Sequence, residues 1–337
     1  MSATPSDAVH GELLARQIDT WLTGALRRSR RATIALAYAD AGPAGGSAET
    51  ALRSIGAVAD RVRGHRLTVV VLGGGPDLPT RLGPVEAALP ADVAVHVVPG
   101  DPGRLPVVLK AAGAAGAPLL AALYVPTAPA PAAPPPPAGP GTSTGPVASS
   151  ASAGSAAPAG PGAGGLVGSV ARAVVAAGRP ADLLVAAGAG VRAELSAAGF
   201  PLVAEVAMVS AGDPAPRSFA LATGSDRNLD AFKESLWQVG AAAGLRRRDA
   251  DGQPGELAAE PDPAPLAALL HAELVRTGPR PVTELRRHTV SATDYRATDA
   301  LRALAVLLES GAARREPAVG RLAGDVVIEA ASAGDVR

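Results

Sequence analysis

Cysteine is absent from the 337 residues, which excludes disulfides, thiol nucleophiles and cysteine-held zinc or iron–sulfur clusters. Aromatic residues make up only 2%, so leucine and valine must fill most of any core. Lysine is nearly missing as well: Lys110 and Lys233 are the only two, and the rest of the positive charge is arginine. Thirty-one basic residues balance 31 acidic ones, and a net charge of zero gives no overall pull toward nucleic acid or membrane. Five scattered histidines (His10, His65, His96, His271 and His288) show no metal-binding spacing, so no metal is expected. There is no GxSxG element for a hydrolase and no GxxxxGK[ST] for a phosphate loop. The start of the chain has no basic-then-apolar leader. The most apolar stretch, near 111–126, is too short to span a bilayer and is broken by Pro118. A soluble, cytoplasmic protein without a membrane partner is expected.

What is present is a 47% hydrophobic, 18% charged chain with clear periodicity, which argues for a packed fold. Leu14, Ile18, Trp21, Leu22 and Ala25 recur at helical spacing over 8–28, and the arginines of 27–31 suit that helix's C-terminus. Apolar runs at 33–38, 67–72, 92–98, 118–125 and 182–188 read as strands, separated by helical stretches at 48–61, 79–88, 102–113 and 166–178. Ser47 stands where it could cap the second helix. Such alternation predicts βαβ units and a parallel sheet. After a helical stretch at 190–198, two further strands, 202–210 and 217–223, follow too closely for a crossover helix and should pair antiparallel. Helix 227–243 comes next, with Leu229, Phe232, Leu236 and Val239 on one face. Trp21 and Trp237 read as core anchors. Apart from Val147, residues 126–165 are Pro, Ala, Gly, Ser and Thr without a single charge, and are expected to be a disordered insert.

The expected fold class is therefore α/β: a seven-stranded, mostly parallel, methyltransferase-like (Rossmann-like) sheet over residues 1–245. A linker at 246–263 and a separate unit at 264–330 follow. Three helices (264–276, 281–288 and 294–309) and a hairpin around Gly320 give that unit the plan of a winged helix-turn-helix. S-adenosylmethionine on such a sheet needs an acidic residue and glycine turn after the first strand, and a carboxylate for its ribose after the second. The first strand ends in Tyr38, with Asp40, Gly42, Gly45 and Gly46 as the vestige of a cofactor-binding turn. The second ends in Gly73, Gly74 and Gly75, with Asp77 the nearest acid. No catalytic residue is assigned and no cofactor is expected, S-adenosylmethionine being the alternative.

Four segments carry a resemblance: LLARQIDTWL (13–22), IALAYADAGPAGGSAETAL (34–52), RSFALATGSDRNLDAFKESLWQVGAAAG (217–244) and HTVSATDYRATDALRALAVLLESGAARREP (288–317). In these the chain resembles the three-Cys-motif partner family, which joins a methyltransferase-like region to a C-terminal winged helix. The resemblance implies that fold and a three-Cys-motif protein as partner. The family's D-x-F-A-G-P-G pattern meets Tyr38, Asp40, Ala41, Gly42, Pro43 and Ala44 here, and its D-P-F-G-like motif meets Val125, Pro126, Thr127 and Ala128. A non-catalytic scaffold is the reading; the alternative is an S-adenosylmethionine-dependent methyltransferase acting on nucleic acid.

Between 276 and 321 nine arginines face five acids, a local excess near +4. Arg286, Arg287, Arg296, Arg302, Arg314, Arg315 and Arg321 are the candidate nucleic-acid or partner-binding residues. Arg296 lies where a recognition helix meets DNA, while Arg314, Arg315 and Arg321 lie on the wing. Helix 294–309 should bury Ala297, Leu301, Leu304, Ala305 and Leu308 and present Arg296, Asp299 and Arg302 to solvent. Binding of DNA or RNA is favoured, with protein docking the other reading; arginines gathered on one face would decide for nucleic acid.

Overall fold

A long helix, α1 (Pro5–Arg28), precedes an alternation of strands and helices. Its elements are β1 (Arg31–Tyr38), α2 (Gly45–Ala57), α3 (Ala59–Val62), β2 (Arg66–Gly73), α4 (Leu78–Glu86), β3 (Val93–Pro99), α5 (Leu105–Ala111) and β4 (Leu119–Tyr124). It continues with α6 (Ala163–Ala177), β5 (Ala181–Ala187), α7 (Arg192–Ala197), β6 (Leu202–Ser210), β7 (Asp213–Thr223) and α8 (Asp226–Ala242). These, and the elements below, come from a computed structural model that describes residues 5–39, 45–126, 163–188, 190–210, 213–249 and 252–331.

The sheet runs β3-β2-β1-β4-β5-β7-β6, with β1 to β5 mutually parallel and β7 antiparallel to both β5 and β6. The antiparallel pairing expected from the short connection is therefore observed. Along β1, Ile34, Leu36 and Tyr38 face one apolar layer, while Ala35 and Ala37 face the other. This two-residue alternation places α1, α2, α4 and α8 on the first face and α5, α6 and α7 on the second. Strands covered on both faces read as near-continuous apolar runs, as these do.

The sheet has nine strands rather than seven, because β8 (Arg246–Arg248) and β9 (Pro254–Gly255) extend it beyond β6. Both lie in the stretch expected to be a linker. Arg246, Arg247 and Arg248 pair with Val209, Met208 and Ala207, giving the exposed edge of β6 backbone partners. Ladder pairing needs only backbone groups, so a run of arginines hid a strand from a reading based on apolar periodicity. The rest of that stretch is fastened too. Leu257 is buried, Trp237 Nε1 donates to the carbonyl of Ala258 at 2.8 Å, and Arg296 Nη2 donates to that of Ala259 at 2.8 Å. A Cβ on Gly240 of α8 would lie 2.7 Å from Leu257, so glycine lets the segment pass close to the helix.

The C-terminal elements are α9 (Ala264–Thr277), β10 (Arg280–Pro281), α10 (Val282–Ala292), α11 (Ala297–Glu309), β11 (Ala313–Glu316) and β12 (Val327–Ala330), the strands forming a small antiparallel sheet, β10-β12-β11. Leu266, Leu270, Leu285, Leu304 and Ile328 are fully buried, and their cluster is continuous with the first face of the large sheet. Helix α11 is rotated from its expected orientation. It buries Ala297, Asp299, Ala300, Ala303, Leu304 and Leu307, while Leu301 is 36% exposed. The cause is an ionic cluster around Asp299, which takes an inward position that an apolar count assigns to solvent.

Of the insert expected at 126–165, α6 claims the last residues from Ala163, and 127–162 lie outside the described residues. No helix among the described residues is long and apolar enough to cross a membrane, and no group of histidines and acids among them could hold a metal ion.

Candidate functional site

The strand order reverses between β1 and β4, and in open α/β sheets the crevice beyond the C-terminal strand ends at such a point is where ligands bind. Tyr38 closes β1 and Tyr124 closes β4; the two are register partners, with ring centroids 6.5 Å apart. The first turns of α1 bring Asp7 and His10 over this pair. The Tyr124 hydroxyl donates to the Asp7 carboxylate, and the His10 ring lies 5.2 Å from the Tyr124 ring. From β7, the Arg217 guanidinium sits 4.9 Å from the centroid of the Tyr124 ring. Ser47 does not cap α2 as expected: the helix begins two residues earlier, and its hydroxyl donates to the Tyr38 hydroxyl oxygen at 3.0 Å.

His10, Tyr38, Ser47, Tyr124 and Arg217 are all buried. Burial raises both tyrosine hydroxyls well above their ordinary range, so at neutral pH they are protonated donors rather than bases. Burial, reinforced by the charge of Arg217 and opposed by Asp7, lowers the His10 pKa from 6.5 to about 4. Both of its ring nitrogens lack hydrogen-bond partners among the described residues. The cluster is thus a neutral imidazole against two protonated phenols, and it ties α1 to the strand ends. Two of the chain's three tyrosines ending neighbouring strands is the sequence signal that could have revealed it.

His10 gives the acid limb of stability a defined sign. Its folded-state pKa lies below the unfolded value, so the unfolded chain takes up a proton that the folded chain refuses. Stability should fall by about 3 kcal/mol as pH drops from 6.5 to 4. Urea unfolding across that window should show a shallower loss for His10→Phe, whose ring carries no proton. An unchanged slope in the variant would remove His10 as the cause.

The expected cofactor turn is only partly visible. Asp40 and Gly42 lie outside the described residues, as do Thr127 and Ala128, while Gly45 and Gly46 open α2. A Cβ on Gly46 would meet nothing within 4 Å, so no close backbone approach calls for glycine there. At the end of β2, Gly73 packs against Tyr38, and Asp77 is exposed at the head of α4. Among the described residues, Asp77 is therefore the acid nearest along the chain to the end of β2.

The candidate arginines are scattered rather than gathered. Arg287 is paired with Asp226 of α8 through two bonds of 2.7 Å. Arg286, half-buried beside it, lines a small pocket with Asp226, Asp230 and Thr283. Arg296 is 8% exposed, bonded to Asp299 and to the carbonyl of Ala259, and lies over the Trp237 ring at 4.9 Å. Its placement corrects the expectation of a DNA-facing recognition residue. Arg302 donates to the same Asp299 at 2.6 Å. Arg315 donates to the carbonyls of Pro317 and Gly320 at 2.9 and 2.8 Å and so shapes the β11–β12 connection. Arg314 and Arg321 are exposed.

No known family model matches the chain, and no curated protein matches it. Among solved structures, one similar to it is the crystal structure of a predicted O-methyltransferase from Agrobacterium tumefaciens, with 18% identity and a TM-score of 0.32 over 64% of this chain and 81% of that one. A likeness at that level carries no assignment of residues or activity.

Proposed function

We propose that this protein is a three-Cys-motif partner-like, non-catalytic α/β scaffold, and that its C-terminal residues 264–330 form a winged helix that docks a protein rather than nucleic acid. The observation that carries the docking reading is the commitment of the arginines. Arg287, Arg296, Arg302 and Arg315 hold partners within the fold, and those partners lie on α8, on α11, beside α9 and in the terminal hairpin. Phosphate contact needs cations aligned along one face, and breaking these pairs to reach DNA would leave Asp299 buried without a counter-charge. Val275, Leu269 and Val319 leave apolar surface on the same elements, at 66%, 47% and 81% exposure. The non-catalytic reading is supported by the crevice, where two protonated tyrosines and a neutral histidine stand at the strand ends.

Gel-shift titration of the full chain against duplex DNA should give no shift at moderate salt and at most weak, sequence-blind retention at low salt. A shift at moderate salt that Arg314→Ala and Arg321→Ala weaken would overturn docking in favour of nucleic acid. Calorimetry should find no micromolar affinity for S-adenosylmethionine; such affinity would restore the alternative, a methyltransferase acting on nucleic acid.

A further inference from the structure

Between the antiparallel edge of the large sheet and the C-terminal helices lies a cleft of about 740 Å³, within the range of small-molecule sites. Its sheet wall includes Glu205 and Ala207 of β6, Ser218 of β7, and Arg247 and Arg248 of β8, with Arg192 at the head of α7. Its other wall is Pro265, Leu269 and Ala272 of α9, with Ala292 and Tyr295 beside α10. This is a half-apolar, half-charged chamber. It is separate from the tyrosine crevice and shares Leu269 with the exposed apolar surface of α9.

Four arginines and four carboxylates line the cleft, but they are not all joined in pairs. Glu205 accepts the backbone N–H groups of Gly190, Val191 and Arg192 at 2.8, 3.2 and 2.8 Å, and so caps α7. Glu273 binds Arg276 at 2.6 Å and faces His288 at 3.7 Å. Asp294 faces Arg247 at 3.5 Å, and Asp249 accepts the backbone N–H of Gln253 at 2.7 Å. Two guanidinium groups are left with no carboxylate partner among the described residues. Arg192 donates only to the carbonyl of Val203, at 2.9 Å, and burial lowers its pKa. Arg248 forms no ion pair, and its Nε is buried without a hydrogen-bond partner. On the floor, the hydroxyl of the fully buried Ser218 has no partner either. Buried donors are satisfied in nearly all native proteins, so the unpartnered Nε atoms of Arg247 and Arg248 and the Ser218 hydroxyl, all lining one cleft, point to a ligand that accepts from them.

We propose that this cleft binds a small organic dianion, held by Arg192, Arg248 and Ser218, with its apolar body against Pro265, Leu269 and Tyr295. Two guanidinium groups without an ion pair, beside unpartnered donors, favour an acceptor of high charge, which a phosphate monoester or a dicarboxylate supplies. The apolar wall excludes a bare inorganic ion as the preferred occupant.

Calorimetry on the full chain tests this with phenyl phosphate and phthalate as probes and benzyl alcohol as the neutral control. Saturable binding of a dianion but not of benzyl alcohol is expected; the probe that binds distinguishes the phosphate from the dicarboxylate source. Arg192→Gln and Arg248→Gln should each weaken it about tenfold or more, while Arg321→Ala leaves it unchanged. Ala272→Trp, an exposed position at the mouth, should abolish binding without moving the thermal midpoint. It therefore serves even where a glutamine variant folds poorly. Failure of both dianions to bind, binding that survives Ala272→Trp, or equal affinity for benzyl alcohol overturns the proposal. None of these outcomes depends on what the C-terminal unit docks.

Discussion

Raising the pH from 7 to 10 is expected to stabilise this protein, at about 1.4 kcal/mol per pH unit, through one residue. Lys233 of α8 is 1% exposed, and its Nζ donates to the carbonyl of Thr293 at 2.6 Å. Burial lowers its pKa from 10.5 to about 7. Asp294 opposes that shift, Arg192 and Arg247 add to it, and Asp299 opposes it more weakly. Because the folded pKa lies below the unfolded one, the unfolded chain holds more protons between pH 7 and 10.5. Stability therefore rises with pH through that window. Below pH 7 the buried ammonium is charged in both states and its cost is fully present. Urea unfolding from pH 7 to 10 should show the rise in the native chain and its loss in Lys233→Met. The slope is the quantity to read, since the variant also leaves the Thr293 carbonyl unpaired and shifts the whole curve. Equal slopes in both chains would show that Lys233 does not titrate in this range.

Removing the Arg296 side chain is expected to cost about 3–5 kcal/mol, the range for a buried charge stripped of its partner. Asp299 accepts from the backbone N–H and Nε of Arg296, each at 3.0 Å, and from Nη2 at 2.9 Å. Burial alone would raise this carboxyl, but the bonds from Arg296, supplemented by Arg302, hold it below its usual range. Arg296→Ala keeps only the backbone bond and the one from Arg302. Arg302→Ala, at a partly exposed position, should cost about 1 kcal/mol. The double variant Arg296→Met, Asp299→Leu should recover most of the loss, because it removes both charges together. Chemical denaturation measures all three, and Trp237 fluorescence reports the lost guanidinium independently. A loss below about 1 kcal/mol in Arg296→Ala would mean that the cluster is solvated, and would return Arg296 to the candidates for an outside ligand.

These two residues mark where the sequence reading ran short. Lys233 stands next to Phe232, inside the apolar face of α8, where helical periodicity assigns a lysine to solvent. With only two lysines in the chain, its place beside an aromatic core residue was the available signal. Arg296 is one of nine arginines in a charge count, whereas its fate depends on geometry: Asp299, three residues on, binds it from inside the fold. Its carbonyl partner Ala259 is 37 residues away. Arg287 is bound to an aspartate 61 residues away, and Tyr124 meets Asp7 across 117 residues.

The positions and types of the elements as far as α8, the antiparallel β6–β7 pair and the helix–hairpin order of 264–330 followed from the chain alone, because apolar spacing and turn residues act within a few positions of themselves. Which charges are free, where the sheet stops, and what closes the crevice at β1 and β4 were decided only by the tertiary structure. Backbone pairing carries no side-chain signature, so the arginine strand β8 was invisible until β6 lay beside it. An ion pair is a property of distance in space, and folding brought Asp226 to Arg287 across 61 residues.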